Sequence, residues 1–258
     1  MNAGESPLGI VSALPEELGS LGLALVEDGV IEIAGYHFRP GRIDGHPVVL
    51  AQAGVGKVAV ALVGSLLLDR FACRGLIFSG VAGGLDPGLS IGDIIIADEL
   101  IQHDYGAMTA GGLKRFHPGT PPIGEPKQSA PFALDPRLRE TIADHIASVT
   151  LPPFETAGNT RPGRVLLGRV LTGDQFVNCA EMRDRLRIDF GGQAVEMEGA
   201  ALAQVAERFG VPCVVVRCLS DLAGAESHLD FAAFLPAAAG AAATVVRRLI
   251  PIMPSAIT

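Results

Sequence analysis

Residues 194–204 read AVEMEGAALAQ, in which two glutamates, Glu196 and Glu198, stand two apart in an otherwise apolar stretch. Carboxylates rarely enter apolar surroundings without a partner. Another acid, Asp221, closes the apolar run VPCVVVRCLSD at 211–221, directly after Ser220. An acid at a strand end between apolar walls has its pKa raised by desolvation, which suits a proton donor. The same aspartate could instead cap a loop or a helix. Glu16 and Glu17 follow the first apolar run, in LGIVSALPEE. Two acids at a helix start also suit the helix dipole, so their position alone does not give them chemistry. Together these groups could supply general acid–base catalysis.

The elements that must position these acids alternate between strand and helix. LGIVSAL (8–14) reads as a buried strand and PEELGSLGLAL (15–25) as a helix with Pro15 in its first turn. VIEIAG and YHFRPGRIDGHPVVLAQAG read as a strand and a hairpin turned at Asp44-Gly45. A helix over 56–71, a strand over 75–85 that enters a glycine-rich turn, and a long strand over 92–104 follow. Helices are predicted over 136–149, 179–190, 199–210 and 231–250, and strands over 164–174, 194–198 and 211–221. Two stretches rich in Pro and Gly, 106–136 and 150–163, read as irregular inserts, and long loops are usually functional or mobile. This order predicts a single α/β domain over 1–258, with a mixed central β-sheet flanked by helices. Ligands of such sheets gather beyond the carboxyl ends of the strands. The polar clusters Glu16-Glu17, GVAGG (80–84), TGDQF (172–176), EME (196–198) and Ser220-Asp221 all lie at such ends.

Composition bounds the function. Of 258 residues 48% are hydrophobic and 19% charged, which excludes a disordered chain. The net charge of −8 and the absence of a basic cluster speak against a nucleic-acid partner or an anionic membrane surface. Cys73, Cys179, Cys213 and Cys218 form no C-x-x-C pair and read as reduced, partly buried thiols. No basic segment precedes the first apolar run, and 235–246 is too short and alanine-rich to span a bilayer. A soluble cytoplasmic protein without a membrane partner is expected. His37, His46, His103, His117, His145 and His228 lack the clustering of metal ligands, so no metal is expected. AGVGK lacks the full phosphate-loop and dinucleotide patterns and reads as a strand-to-helix turn, so no cofactor is expected either.

GIVSALPEEL (9–18), AGVGKVAVA (53–61), SGVAGGL (79–85), GDIIIADE (92–99), TGDQFV (172–177), AVEMEGAALAQVA (194–206) and VVVRCLSDLAG (214–224) follow one another in this order. The set resembles the 5′-methylthioadenosine/S-adenosylhomocysteine nucleosidases of the purine nucleoside phosphorylase superfamily. The resemblance covers nearly the whole chain apart from the two inserts. Its glycine turns are weak signals singly; VEMEG followed about twenty residues later by a strand ending in R-x-x-S-D is specific.

The resemblance implies hydrolysis of an N-glycosidic bond in a small purine nucleoside. Asp221 would protonate adenine N7 as the base leaves, with Ser220 orienting it. Glu198 would accept from both ribose hydroxyls, O2′ and O3′, and Met197 would supply a backbone contact and an apolar floor. With the segment read as extended, Glu196 is expected to turn away from the sugar, toward Arg217 or the reacting water. Glu17 would hold the attacking water, with Glu16 as the alternative register. Phe176 would stack on adenine, and the Val177 backbone would bond its edge. Ala82 and Gly83 would approach the base and ribose closely, and Phe231 and Leu14 would line the 5′-alkylthio pocket. The family resemblance also implies a homodimer.

Phosphorolysis would need a phosphate site, which rewards arginine. VSALPEE and SGVAGG contain no arginine, and the first carries two acids, which favours water. Val81 stands where such nucleosidases commonly have a serine, and the 106–136 insert could alter the accepted 5′ group. A futalosine-type nucleosidase, a purine nucleoside phosphorylase and a non-catalytic nucleoside-binding protein are the rival readings. The last is expected to lack the acids, all of which are present here.

Overall fold

Apolar, β-branched runs punctuated by Gly, Pro and acids set most of the elements. A computed structural model describes residues 6–121, 123, 130–156 and 159–254. The chain begins β1 (Leu8–Ser12), α1 (Pro15–Ala24), β2 (Val26–Glu27), β3 (Ile31–Ile33), β4 (Tyr36–Ile43), β5 (His46–Gln52), α2 (Lys57–Phe71), β6 (Leu76–Gly84), β7 (Ile94–Gln102). It continues β8 (Gly106–Thr109), β9 (Gly112–Arg115), β10 (Phe132–Ala133), α3 (Pro136–Ile146), β11 (Pro153–Thr156), β12 (Asn159–Pro162), β13 (Val165–Thr172). It ends α4 (Ala180–Phe190), β14 (Ala194–Glu196), α5 (Gly199–Phe209), β15 (Cys213–Asp221), α6 (Ser227–Leu249) and a 3₁₀ turn at Ile250–Ile252.

The mixed central sheet of the α/β fold has eleven strands among the described residues. β1 lies parallel between β5 and β6. β6 runs parallel to β15, which runs antiparallel to β7 over Val216–Cys218. β7 and β13 are parallel, as are β13 and β14, and β14 returns antiparallel to β6 at Gly83 and Gly84. The path β6–β15–β7–β13–β14 therefore closes into a small barrel, with β1, β5 and β4 as an open wing. Asp44 and Gly45 form the tight turn between β4 and β5, both with positive φ as a two-residue hairpin turn requires.

Helices cover both faces. Leu18 and Leu21 of α1 and Leu235, Val245 and Val246 of α6 pack on one side with Ile10, Ile77 and Val216. Val60, Val63 and Leu67 of α2 and Ala200, Leu202 and Ala206 of α5 pack on the other with Val11, Phe78 and Val215. α6 starts earlier than the sequence pattern indicates and, with the following turn, is long and apolar enough by composition to cross a membrane. Here its apolar stripe is core.

The stretch 106–136 contains the hairpin β8–β9 and the short strand β10, which pairs with β7; the stretch 150–163 contains the hairpin β11–β12. Residues 122, 124–129 and 157–158 of these inserts lie outside the described residues. The four cysteines are free: Cys73 and Cys218 are buried, Cys213 is partly buried and Cys179 is exposed.

Candidate active site

The carboxyl ends of β1, β6, β14 and β15 bring the sequence-predicted acids together. Pro15 opens α1, and Glu17, in its first turn, folds back over the helix start. Its Oε2 accepts from the backbone N–H groups of Ala13 at 2.8 Å and Leu14 at 2.9 Å. Its Oε1 accepts from Val81 N at 3.0 Å, tying α1 to the end of β6. Glu17 thus does cap the helix, yet it is buried, whereas Glu16 is exposed, so the alternative register is not supported. Burial pushes the Glu17 pKa up, and the Arg217 charge and the three N–H donors offset this only in part.

Arg217, on β15, is fully buried, with its guanidinium carbon 4.0 Å from the ring centre of Phe78. Its Nη2 donates to Glu196 Oε2 and, at 3.1 Å, to Glu198 Oε2. The two glutamates therefore do not diverge as expected. Extended pairing ends at Glu196, Glu198 is the N-cap of α5, and residues two apart on a strand share a face in any case. Glu196 has the partner expected for it in Arg217 and also accepts from the N–H groups of Glu198 at 3.1 Å and Gly199 at 2.8 Å. The Thr172 hydroxyl donates to Glu196 Oε1 and accepts from Ala200 N at 2.8 Å. Glu196 is thus saturated by protein groups. Glu198 is less so: its Oε1 accepts from Gly56 N at 2.8 Å. Burial, opposed by Arg217 and reinforced by the charge of Glu196, pushes its pKa up to about 7.

Gly80 makes this cluster possible. A Cβ there would overlap Arg217 Nη1 and stand 2.8 Å from Glu17 Oε1. Gly56, whose φ is +98°, turns its N–H toward Glu198 in a conformation that favours glycine.

Asp221 is buried at the end of β15. The Ser220 hydroxyl donates to its Oδ2 at 3.1 Å, and Ala223 N donates to its Oδ1 at 2.9 Å. The Ser227 hydroxyl approaches from the start of α6 without closing a hydrogen bond. Burial raises the Asp221 pKa, and the Ala223 N–H and the two hydroxyls only partly restrain it. A Cβ on Gly83 would stand 2.9 Å from Asp221 Oδ1, so glycine lets β6 approach this carboxylate closely; Ala82, beside it, is buried.

Phe176 is 50% exposed and meets Phe231 edge-to-face at 5.9 Å, so two rings from separate elements stand together. The Val177 side chain is core, packed with Leu85, Ile101 and Leu171. Met197 is half-buried between the two glutamates. Leu14 is partly buried and packs against both apolar layers. Thr172, Gly56, Gly80 and the Val81 N–H were not singled out from sequence as parts of this site. Their only signals were the glycine turns AGVGK and SGVAGG and the TGD triplet. Among the described residues no cluster of three or more His, Cys, Asp or Glu could hold a metal.

The family model of the phosphorylase superfamily matches residues 7–251. The chain belongs to this superfamily. Within it, the chain is 44% identical over 248 residues to a 5′-methylthioadenosine/S-adenosylhomocysteine nucleosidase of Mycobacterium tuberculosis, covering 95% of this chain and 97% of that one. The nucleosidase of Colwellia psychrerythraea, solved with adenine, superposes with a TM-score of 0.81 at 33% identity, covering 98% of each chain. The futalosine hydrolase of Helicobacter pylori superposes with a TM-score of 0.79 at 30% identity, covering 96% of this chain and 98% of that one. The phosphorylase-superfamily fold thus carries more than one 5′-substituted nucleoside chemistry among its relatives.

Proposed function

We propose that the protein hydrolyses the N-glycosidic bond of 5′-methylthioadenosine and S-adenosylhomocysteine, releasing adenine and the 5′-thio sugar. The observation that carries this reading is that Glu17 and Glu198 converge on an arginine already committed to carboxylates, while Asp221 is buried at the end of the same strand, β15. The C–N bond breaks toward an oxocarbenium-like sugar. Asp221, whose pKa burial raises toward that of a proton donor, gives its proton to N7 of the leaving adenine. Glu198 accepts from O2′ and O3′ and puts negative charge beside the developing cation. Glu17 holds the water and takes its proton as the oxygen bonds to the anomeric carbon. A carboxylate whose pKa is raised is a better base near neutral pH.

Phe176 stacks on the base, with the Val177 backbone and Ala82-Gly83 at its edge. Met197 underlies the ribose, and Phe231 and Leu14 face the 5′ substituent. Water is favoured over phosphate because segments 9–18, 53–56 and 79–85 contain no arginine, and Arg217 is paired. A homodimer is supported by the exposed Val55, Val58 and Leu62 around the start of α2 and Phe209 at the end of α5. Four free cysteines fit a reducing, cytoplasmic setting.

The test is release of the free base, without and then with phosphate, from 5′-methylthioadenosine and S-adenosylhomocysteine, with futalosine and inosine, which release hypoxanthine, in the same panel. Phosphate-free adenine release is expected. Strict phosphate dependence would make the protein a phosphorylase, and selective cleavage of futalosine would move it to that substrate.

A further inference from the structure

His103 and Asp104 follow β7, and the reaction above uses neither. His103 N donates to Thr172 O at 2.9 Å, and its buried ring lies against Gly173, where a Cβ would overlap Nε2. Asp104 uses both oxygens. Oδ1 accepts from Lys57 Nζ at 2.7 Å, and Oδ2 accepts from Asp174 N at 2.9 Å. Asp174 Oδ1 in turn accepts from Lys57 N at 2.9 Å. Lys57 follows Gly56, whose N–H fixes Glu198; Asp174 stands two residues before Phe176. The Lys57 and Asp104 side chains are only 18% and 22% exposed. Burial alone would push the Asp104 pKa up, but bonds from Lys57 Nζ and Asp174 N and the Lys57 charge outweigh it and keep the carboxylate ionised.

We propose that Asp104 is a positioning residue: it joins the sugar-holding turn at Gly56-Lys57 to the base-holding turn at Asp174–Val177, so that ribose recognition depends on it although it touches no substrate. The inference rests on the roles proposed above for Glu198 and Phe176. Glu198 has one oxygen on Arg217 and the other on Gly56 N, so its aim at the sugar follows the placement of Gly56. Without Asp104 the Lys57 ammonium keeps only the more distant Asp174 carboxylate at 3.5 Å, and Asp174 N loses its acceptor. Misplacement by about 1 Å can cost about 10²-fold in a site of this kind.

The test uses two intact probes, 5′-methylthiotubercidin and its 2′-deoxy counterpart. Carbon at position 7 cannot take the proton from Asp221, so binding is read without turnover. Wild-type protein is expected to prefer the ribo form by about 10-fold or more, the worth of one hydrogen bond to a charged group. Asp104→Asn and Asp104→Ala are expected to lose most of that preference in calorimetric dissociation constants. Equal weakening of both probes, with the preference intact, would overturn the proposal, as would unchanged binding. No preference in the wild-type protein would overturn it too, since there is then no sugar clamp to position. Should Asp104→Ala fail to fold, Asp104→Asn and Lys57→Gln report the same ratio. Failure of wild-type protein to release adenine from 5′-methylthioadenosine would instead sink the proposed activity, a separate measurement.

Discussion

Glu196 and Glu198 converge on a single guanidinium, with Arg217 Nη2 bonded to Glu196 Oε2 and lying 3.1 Å from Glu198 Oε2. Glu17 adds its charge to the same field, so one buried cation answers three carboxylates. Burial makes Glu17 and Glu198 harder to ionise than ordinary glutamates, and at Glu198 the charges of Glu196 and Glu17 add to it.

Arg217→Met is therefore expected to destabilise the fold by about 3–5 kcal/mol in urea unfolding at pH 8, the usual cost of stripping a buried pair of one partner. The loss should shrink at pH 5, where protonation can neutralise the stranded carboxylates. Arg217→Lys should recover little, because one ammonium cannot reproduce the planar, many-donor guanidinium. Equal destabilisation at both pH values would show that packing on Phe78, not charge, sets the cost.

Glu198 gives stability a definite pH slope. Its pKa rises from 4.5 to about 7 on folding, so between those values the native state holds a proton that the unfolded chain has released. Stability must then fall as pH rises through this window, by at most about 1.4 kcal/mol per pH unit for one group. Glu17, also raised, adds in the same sense. Glu198→Gln should flatten the slope between about pH 5 and 7, measured by urea midpoints across that range. An unchanged slope would assign the effect elsewhere.

The sequence made the strands and most helices legible because their apolar periodicity is local. The barrel closure was not, because β14 meets β6 at only two residue pairs far apart in the chain. The acids Glu17, Glu198 and Asp221 were legible as a set, and Arg217 as the partner of Glu196. The convergence of both glutamates was missed although residues two apart on an extended segment share a face; in addition, Glu196 takes the first N–H groups of α5, and the strand ends before Glu198. Backbone donors such as Gly56 N and Val81 N have no side-chain signature, which hides most of the carboxylate partners from any reading by residue type. The inserts hid their hairpins because Pro and Gly dominate their composition.

Gly80→Ala tests how tightly the acids are packed. The added methyl would overlap Arg217 Nη1 and crowd Glu17 Oε1. Neither group can yield easily, since both are fixed by several bonds in the interior. Activity should fall by about 10²-fold or more, as expected when reacting groups shift by about 1 Å. A steady-state assay on 5′-methylthioadenosine, with circular dichroism to confirm folding, decides it; near-wild-type turnover would mean that the cluster relaxes freely.

Val58 is 83% exposed at the start of α2, with Val55, Leu62 and Phe209 also exposed. A second copy of the chain is the proposed cover for this apolar surface. Val58→Asp would place an unpaired charge in that contact and is expected to yield monomers in sedimentation velocity where the wild-type protein sediments as a dimer. Identical sedimentation of the two proteins would remove this face from the interface.

Asp221→Asn separates proton donation from binding. Asparagine keeps the size; its Oδ1 can still accept from Ala223 N and its Nδ2 can donate to the Ser220 hydroxyl, so the fold and nucleoside affinity should be largely kept. It cannot give up a proton to N7, and kcat should fall by about 10²–10⁴-fold. The pH profile adds a second reading. With burial holding the Asp221 pKa above its usual value, wild-type turnover should persist through the weakly acidic range and decline as pH rises past that raised pKa. The variant should lose this alkaline limb along with the rate. A variant that keeps both would free Asp221 of the acid role and leave it as the cap on the Ala223 turn.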